Sequence, residues 1–116
     1  MEFVIYHNPR CSKSRTTLKV LEENGITPKI VNYLDTPPDH QQLDSILRGL
    51  EMEPRELMRK NETEYQELGL DNNSLERDQL IELMIANPRL IERPIVVAGD
   101  RIVIGRPPEN VLELLN

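Results

Sequence analysis

Hydrophobic positions follow two different periods along this chain, and the switches between them mark its elements. Residues 2–6, EFVIY, make an apolar, β-rich run of strand length that meets the turn residues His7-Asn8-Pro9, which predicts a first strand. From Ser12 the pattern is helical. Leu18, Val20 and Leu21 form an inward stripe, Lys and Glu take the other face, and Gly25 stands where a helix-ending glycine belongs. KIVNYL at 29–34 predicts a second strand, and parallel pairing with the first through the helix would make a right-handed βαβ unit.

After Thr36-Pro37-Pro38, Leu43, Ile46, Leu47 and Leu50 recur at i, i+3, i+4 and i+7, the stripe of an amphipathic helix. Pro54 restarts the chain into a short helical stretch, Arg55 to Lys60, and Glu62 to Leu68 predicts another, closed by Gly69. Asp71-Asn72-Asn73-Ser74 is a turn cluster, with Ser74 placed to cap a helix from Leu75 to Ala86 that stops at Asn87-Pro88. The period then returns to that of strands. Ile95-Val96-Val97 and Arg101 to Ile104 predict a hairpin through Gly99 and Asp100. Gly105-Arg106-Pro107-Pro108 leads to a last helix carrying Val111, Leu112, Leu114 and Leu115. The order βαβ, helices, ββα predicts an α/β fold: a thioredoxin-like, mixed four-stranded sheet with a helical insertion between its halves, in a single domain over residues 1–116.

Composition narrows the chemistry. No apolar run is long enough to cross a bilayer, and the first residues lack the charged start and apolar stretch of a secretory signal, so a cytoplasmic protein is expected. One cysteine cannot form an internal disulfide. With two histidines, His7 and His40, it is also too few for an ordinary structural zinc site, so no metal and no bound cofactor are expected. A net charge of −6 argues against a nucleic-acid partner, and any anion site must be a local cluster of basic groups. A monomer is expected.

Cys11 falls between a predicted strand and a predicted helix, where unpaired amide N–H groups and the helix dipole favour a thiolate. Such placement lowers a cysteine pKa from its usual value of about 8.5. His7, Arg10, Lys13 and Arg15 surround it in HNPRCSKSR. A cationic His7 would support the thiolate, while Arg10, Lys13 or Arg15 could meet an incoming anion. The tyrosine-phosphatase pattern Cys-x5-Arg fails, because position 17 is Thr17. The dithiol pattern Cys-x-x-Cys fails at Ser14, so an adduct on Cys11 has no internal sulfur to resolve it. Arg59 in LMRKN, Arg93 before Pro94 and Arg106 before Pro107 are further guanidinium forks suited to an oxyanion. In a thioredoxin-like sheet, a proline where Pro94 stands is typically cis and faces the helix-start cysteine.

These residues carry a family resemblance. IYHNPRCSKSR at 5–15, YLDTPP at 33–38, LMRKNETEYQELGL at 57–70, DQLIELM at 78–84, RPIVV at 93–97 and GRP at 105–107 occur in one order. In these blocks the chain resembles the glutathione- and glutaredoxin-coupled arsenate reductases of bacteria, the ArsC-like enzymes. The resemblance implies reduction of arsenate to arsenite with Cys11 as nucleophile, His7 and Ser14 tuning it, and Arg59, Arg93 and Arg106 binding the oxyanion. It further implies glutathione as co-substrate and glutaredoxin as partner. Two alternatives share the scaffold: an Spx-like transcriptional regulator, which commonly carries the Cys-x-x-Cys switch absent here, and a thiol oxidoreductase with another substrate.

Overall fold

The computed structural model describes residues 2–115. Its elements run β1 (Phe3–His7), α1 (Ser12–Glu23), β2 (Lys29–Asn32), α2 (His40–Leu50), α3 (Thr63–Glu67), α4 (Arg77–Ala86), β3 (Ile95–Ala98) and β4 (Arg101–Ile104). Short 3-10 segments lie at Pro54–Leu57, Pro88–Leu90 and Pro108–Leu115. One mixed four-stranded sheet has the order β2-β1-β3-β4, with β1 parallel to β2 and antiparallel to β3, and β3 antiparallel to β4. This is the expected thioredoxin-like α/β fold, its helical insertion falling between the βαβ and ββα halves. Among the described residues, no helix is long and apolar enough to cross a membrane.

The chain forms two compact units: one from its two ends, up to Thr36 and from Arg93 onward, and a second over Pro37–Glu92. In the first, strand alternation sends Phe3 and Ile5 of β1 and their partners Ala98 and Val96 of β3 to one face. Leu21 of α1 and Val111 and Leu114 of the C-terminal segment cover that face. Ile5, Leu21, Val96, Ala98 and Val111 are fully buried, and each large apolar side chain so buried stabilises the fold by about 1.5–3 kcal/mol. Gly99, at φ 63, supplies the left-handed conformation that the two-residue loop between β3 and β4 requires.

In the second unit, α2 starts at a capping box: the Gln42 N–H donates to Asp39 Oδ1 at 2.8 Å, and the Asp39 N–H donates to Gln42 Oε1 at 2.9 Å. Leu43, Ile46 and Leu47 of α2 and Leu80, Ile81 and Met84 of α4 are buried, and the two helices pack together. Asp44 of α2 holds Arg77 of α4 at 2.8 Å.

Several local expectations shift, each for a visible reason. β2 stops at Asn32 because its carbonyl accepts the N–H groups of Asp35 and Thr36, which turns the chain. Ser74 caps no helix: Asn72 Oδ1 takes both its N–H and its hydroxyl, and a Glu76–Gln79 capping box starts α4 instead. The stretch from Arg55 narrows to the 3-10 segment at Pro54–Leu57. The backbone then extends, with Met58 bridging Ile91 and the Arg59 N–H donating to the Leu90 carbonyl at 2.7 Å. The last helix is 3-10 rather than α.

Two measurements test this account of the second unit. Asp39→Ala removes one half of the capping box and should cost about 1 kcal/mol, read as a drop of a few degrees in thermal melting. His40, at the start of α2, bonds Glu82 and lies 3.3 Å from Asp78, both on α4. The Glu82 hydrogen bond, followed by the charges of Glu82 and Asp78, raises its pKa. A raised folded pKa means that the contribution is full below the unfolded value of about 6.5 and is lost as pH climbs through the folded one. His40→Asn should therefore lower the melting temperature at pH 5 and have little effect at pH 9. An equal effect at both would assign His40 to packing alone.

Candidate active site

Strand alternation extends one residue beyond EFVIY. His7 follows Phe3 and Ile5 onto the covered face and is 6% exposed. There it meets Ser14, fully buried in the first turn of α1, with Ser14 Oγ 2.6 Å from His7 Nδ1. The Asn8 N–H donates to the same hydroxyl oxygen at 3.0 Å. Ser14 Oγ and His7 Nδ1 share one proton between them, and the tautomer of the ring sets which of the two donates. Burial, and then the charge of Arg15, push the His7 pKa below its ordinary value. Both effects oppose the positive charge expected on His7, whose ring is tied to Ser14.

The loop between β1 and α1 is tied by its own residues. Asn8 Oδ1 accepts the Arg10 N–H at 3.0 Å, the Asn8 carbonyl accepts the Cys11 N–H at 3.0 Å, and Arg15 Nη1 donates to the Pro9 carbonyl at 2.9 Å. Arg15 therefore braces the loop. Arg10 and Lys13 are exposed beside it. Cys11 is itself the N-cap of α1, extended at φ −96, ψ 123, and partly exposed. Its sulfur makes no full capping bond, but the first-turn amides of Ser14 and Lys13 face it. Burial pushes the thiol pKa up. The Ser14 amide, Arg93, the Lys13 amide and Arg106 outweigh burial and hold it below the ordinary value.

The two arginines arrive from the far end of the chain. Arg93-Pro94 leads into β3 and Arg106-Pro107 leaves β4, and both peptide bonds are cis, as expected for Pro94. Arg93 is only 9% exposed, and Arg106 Nη1 lies 3.5 Å from the Arg93 carbonyl. Asn110 Nδ2 donates to the carbonyls of Ile104 and Arg106, both at 3.2 Å, which fixes the backbone that presents Arg106. Cys11, Arg93 and Arg106 thus form one electrostatic group, with Ser14 and His7 bracing the thiol turn. Arg59 belongs to the second unit, where it pairs with Glu62 at 2.5 Å, and Glu62 also takes Arg89 at 2.9 Å. Asn8 and Asn110 went unread in the sequence; the Asn-Pro pair marked a turn at residue 8, and nothing marked Asn110.

Comparison with known proteins places the chain in a family. The pattern of the ArsC family matches residues 6–114. A protein named arsenate reductase from Neisseria meningitidis serogroup A is 48% identical over 98% of this chain and 98% of its own length. YfgD of Escherichia coli strain K12, described as an uncharacterized protein, is 55% identical over 96% of this chain and 94% of its own. The structure of an arsenate reductase from Vibrio cholerae superposes with a TM-score of 0.94 at 48% identity, covering 97% of each chain.

One expectation is corrected here. The resemblance pointed to the glutathione- and glutaredoxin-coupled enzymes, with glutathione as co-substrate and glutaredoxin as partner. The matches support the arsenate-reductase family itself, but the chain has a single cysteine, and that architecture argues against the multi-cysteine, glutaredoxin-coupled subtype.

The role of Ser14 divides between side chain and backbone. Ser14→Ala strips the partner from the Asn8 N–H and His7 Nδ1, a loss of about 1–3 kcal/mol, yet it keeps the amide that faces sulfur. Denaturant melts should show that loss, while the pH midpoint of Cys11 alkylation stays below that of an ordinary thiol. A midpoint restored to the ordinary value would instead assign the acidification to the hydroxyl.

Proposed function

The chain belongs to the ArsC family, and from that premise we propose that it reduces arsenate, with Cys11 as nucleophile and Arg93 and Arg106 as the oxyanion-binding pair. The observation that carries this reading is the placement of Cys11 as the N-cap of α1, with the first-turn amides and the charges of Arg93 and Arg106 acting on its sulfur against the opposing effect of burial. Groups that stabilise a thiolate also stabilise a tetrahedral oxyanion brought beside it. The mechanism follows from that shared field. The arginines and the N-terminus of α1 hold arsenate, and the thiolate attacks arsenic. A sulfur–arsenic bond forms as an arsenic–oxygen bond breaks, and the departing oxygen takes up protons and leaves as water.

The adduct still contains arsenic(V). Two electrons are needed to reach arsenite, and with a single cysteine in the chain they come from two external thiols, which are oxidised to a disulfide as the sulfur–arsenic bond breaks and Cys11 regains its proton. His7 and Ser14 keep the thiol turn in place without exchanging protons with substrate. We assign the chemistry to the cytoplasm, where thiols stay reduced. The whole chain acts as one domain in this reading, although the conclusion rests on the unit that contains Cys11 and not on Arg59.

Arsenite formation from arsenate, with dithiothreitol as the reductant, tests it. Cys11→Ser should abolish turnover while leaving the circular dichroism spectrum intact, and retained turnover would sink the proposal. Arg93→Ala and Arg106→Ala should each lower kcat/KM at least about tenfold, the scale of a lost charge-assisted hydrogen bond.

A further inference from the structure

α1 meets the arginine-bearing turns at one buried point. Thr17 is fully buried, and its one hydroxyl proton is shared between the Lys13 carbonyl at 2.8 Å and the Gly105 carbonyl at 3.2 Å. The Gly105 N–H in turn donates to the Pro94 carbonyl at 2.9 Å. Lys13 is one of the two residues whose amides face the Cys11 sulfur, Gly105 immediately precedes Arg106, and Pro94 immediately follows Arg93. Two hydrogen bonds therefore link all three segments that act on the sulfur.

Sterics sharpen the point. A Cβ on Gly105 would stand 2.6 Å from Thr17 Oγ1, 2.8 Å from Thr17 Cγ2 and 2.9 Å from Pro94 Cγ, closer than real side chains approach. Glycine is needed there for the close approach of three segments, not for an unusual backbone angle. A bond to the carbonyl four residues back, as to Lys13, is common for threonine inside a helix. The branch of the same proton toward Gly105 is what joins helix to turn.

We propose that Thr17 and Gly105 are positioning residues, a clasp that sets the separation between the thiol-bearing start of α1 and the guanidiniums of Arg93 and Arg106. This deepens the oxyanion reading above and rests on it. Neither residue touches substrate. The clasp acts through the field at Cys11: a looser seam moves the arginines away from sulfur and weakens thiolate and bound anion together.

The test uses the full-length protein, sulfate as an unreactive tetrahedral dianion, and iodoacetamide alkylation of Cys11. In the wild type, sulfate should protect Cys11, and the pH midpoint of alkylation should lie below that of an ordinary thiol. Thr17→Val, nearly isosteric but without the hydroxyl, should weaken sulfate protection about fivefold, the scale of one lost hydrogen bond, and raise the midpoint. Thr17→Ser, which keeps the hydroxyl, should restore both. Gly105→Ala, which inserts a methyl into the seam, should shift both in the same direction as Thr17→Val. If Thr17→Val does not fold, Gly105→Ala read against Thr17→Ser decides the matter alone. Variants that lose only stability, with midpoint and protection unchanged, overturn the clasp and leave the oxyanion reading standing. A wild-type Cys11 that sulfate does not protect overturns the oxyanion reading and the clasp with it.

Discussion

In the proposed reading, a negative charge on a partly buried sulfur is the constraint that the rest of the site satisfies. Burial alone would keep Cys11 a thiol, so the charge must be supported by fixed dipoles and permanent cations. The amides of Lys13 and Ser14 provide the dipoles and Arg93 and Arg106 the cations. Guanidinium suits this task better than imidazole. It remains charged throughout the range in which a thiol ionises, whereas a histidine loses its proton over much of the same range. The lowered pKa of His7 agrees with that division of labour: burial opposes a charge on the imidazole, while Arg93 and Arg106 act on the sulfur as cations.

Much of this was legible because local grammar and global fold agree. A β-rich run, a polar turn and a helical stripe placed Cys11 at a helix start, and the structure puts it at the N-cap of α1. Arg93 and Arg106 were noticeable through the prolines that follow them, which mark the ends of a hairpin. What escaped depended on competition between neighbours or on distance along the chain. The burial of His7 escaped because the first strand was read as ending at Tyr6; one further step of its alternation puts the imidazole on the buried face. Ser74 had the right chemistry for a cap, but Asn72 captured it first. Arg59 had Glu62 three residues away, a spacing that favours pairing, and the two are paired. The bond from Thr17 to Gly105 spans 88 residues and leaves no local trace.

The sheet register turns these scattered residues into one site. Pairing Tyr6 with Ile95 sets the turn that follows β1 beside Arg93-Pro94, the residues that lead into β3. Pairing Ile95 with Ile104 continues the alignment, so Gly105 lies opposite Pro94 and its N–H reaches the Pro94 carbonyl. Thiol, first arginine and second arginine therefore sit at one end of three adjacent strands, although they come from opposite ends of the chain. Because side chains alternate with a period of two, a slip of one residue in either ladder would move the core positions of that strand to the other face. The apolar core holds the register against such a slip: Ile5 against Val96 and Phe3 against Ala98 are buried pairs under Leu21, Val111 and Leu114. The same packing that stabilises the fold thus fixes the distance between sulfur and guanidinium, and the electrostatics of Cys11 follow from the hydrophobic pattern of the strands.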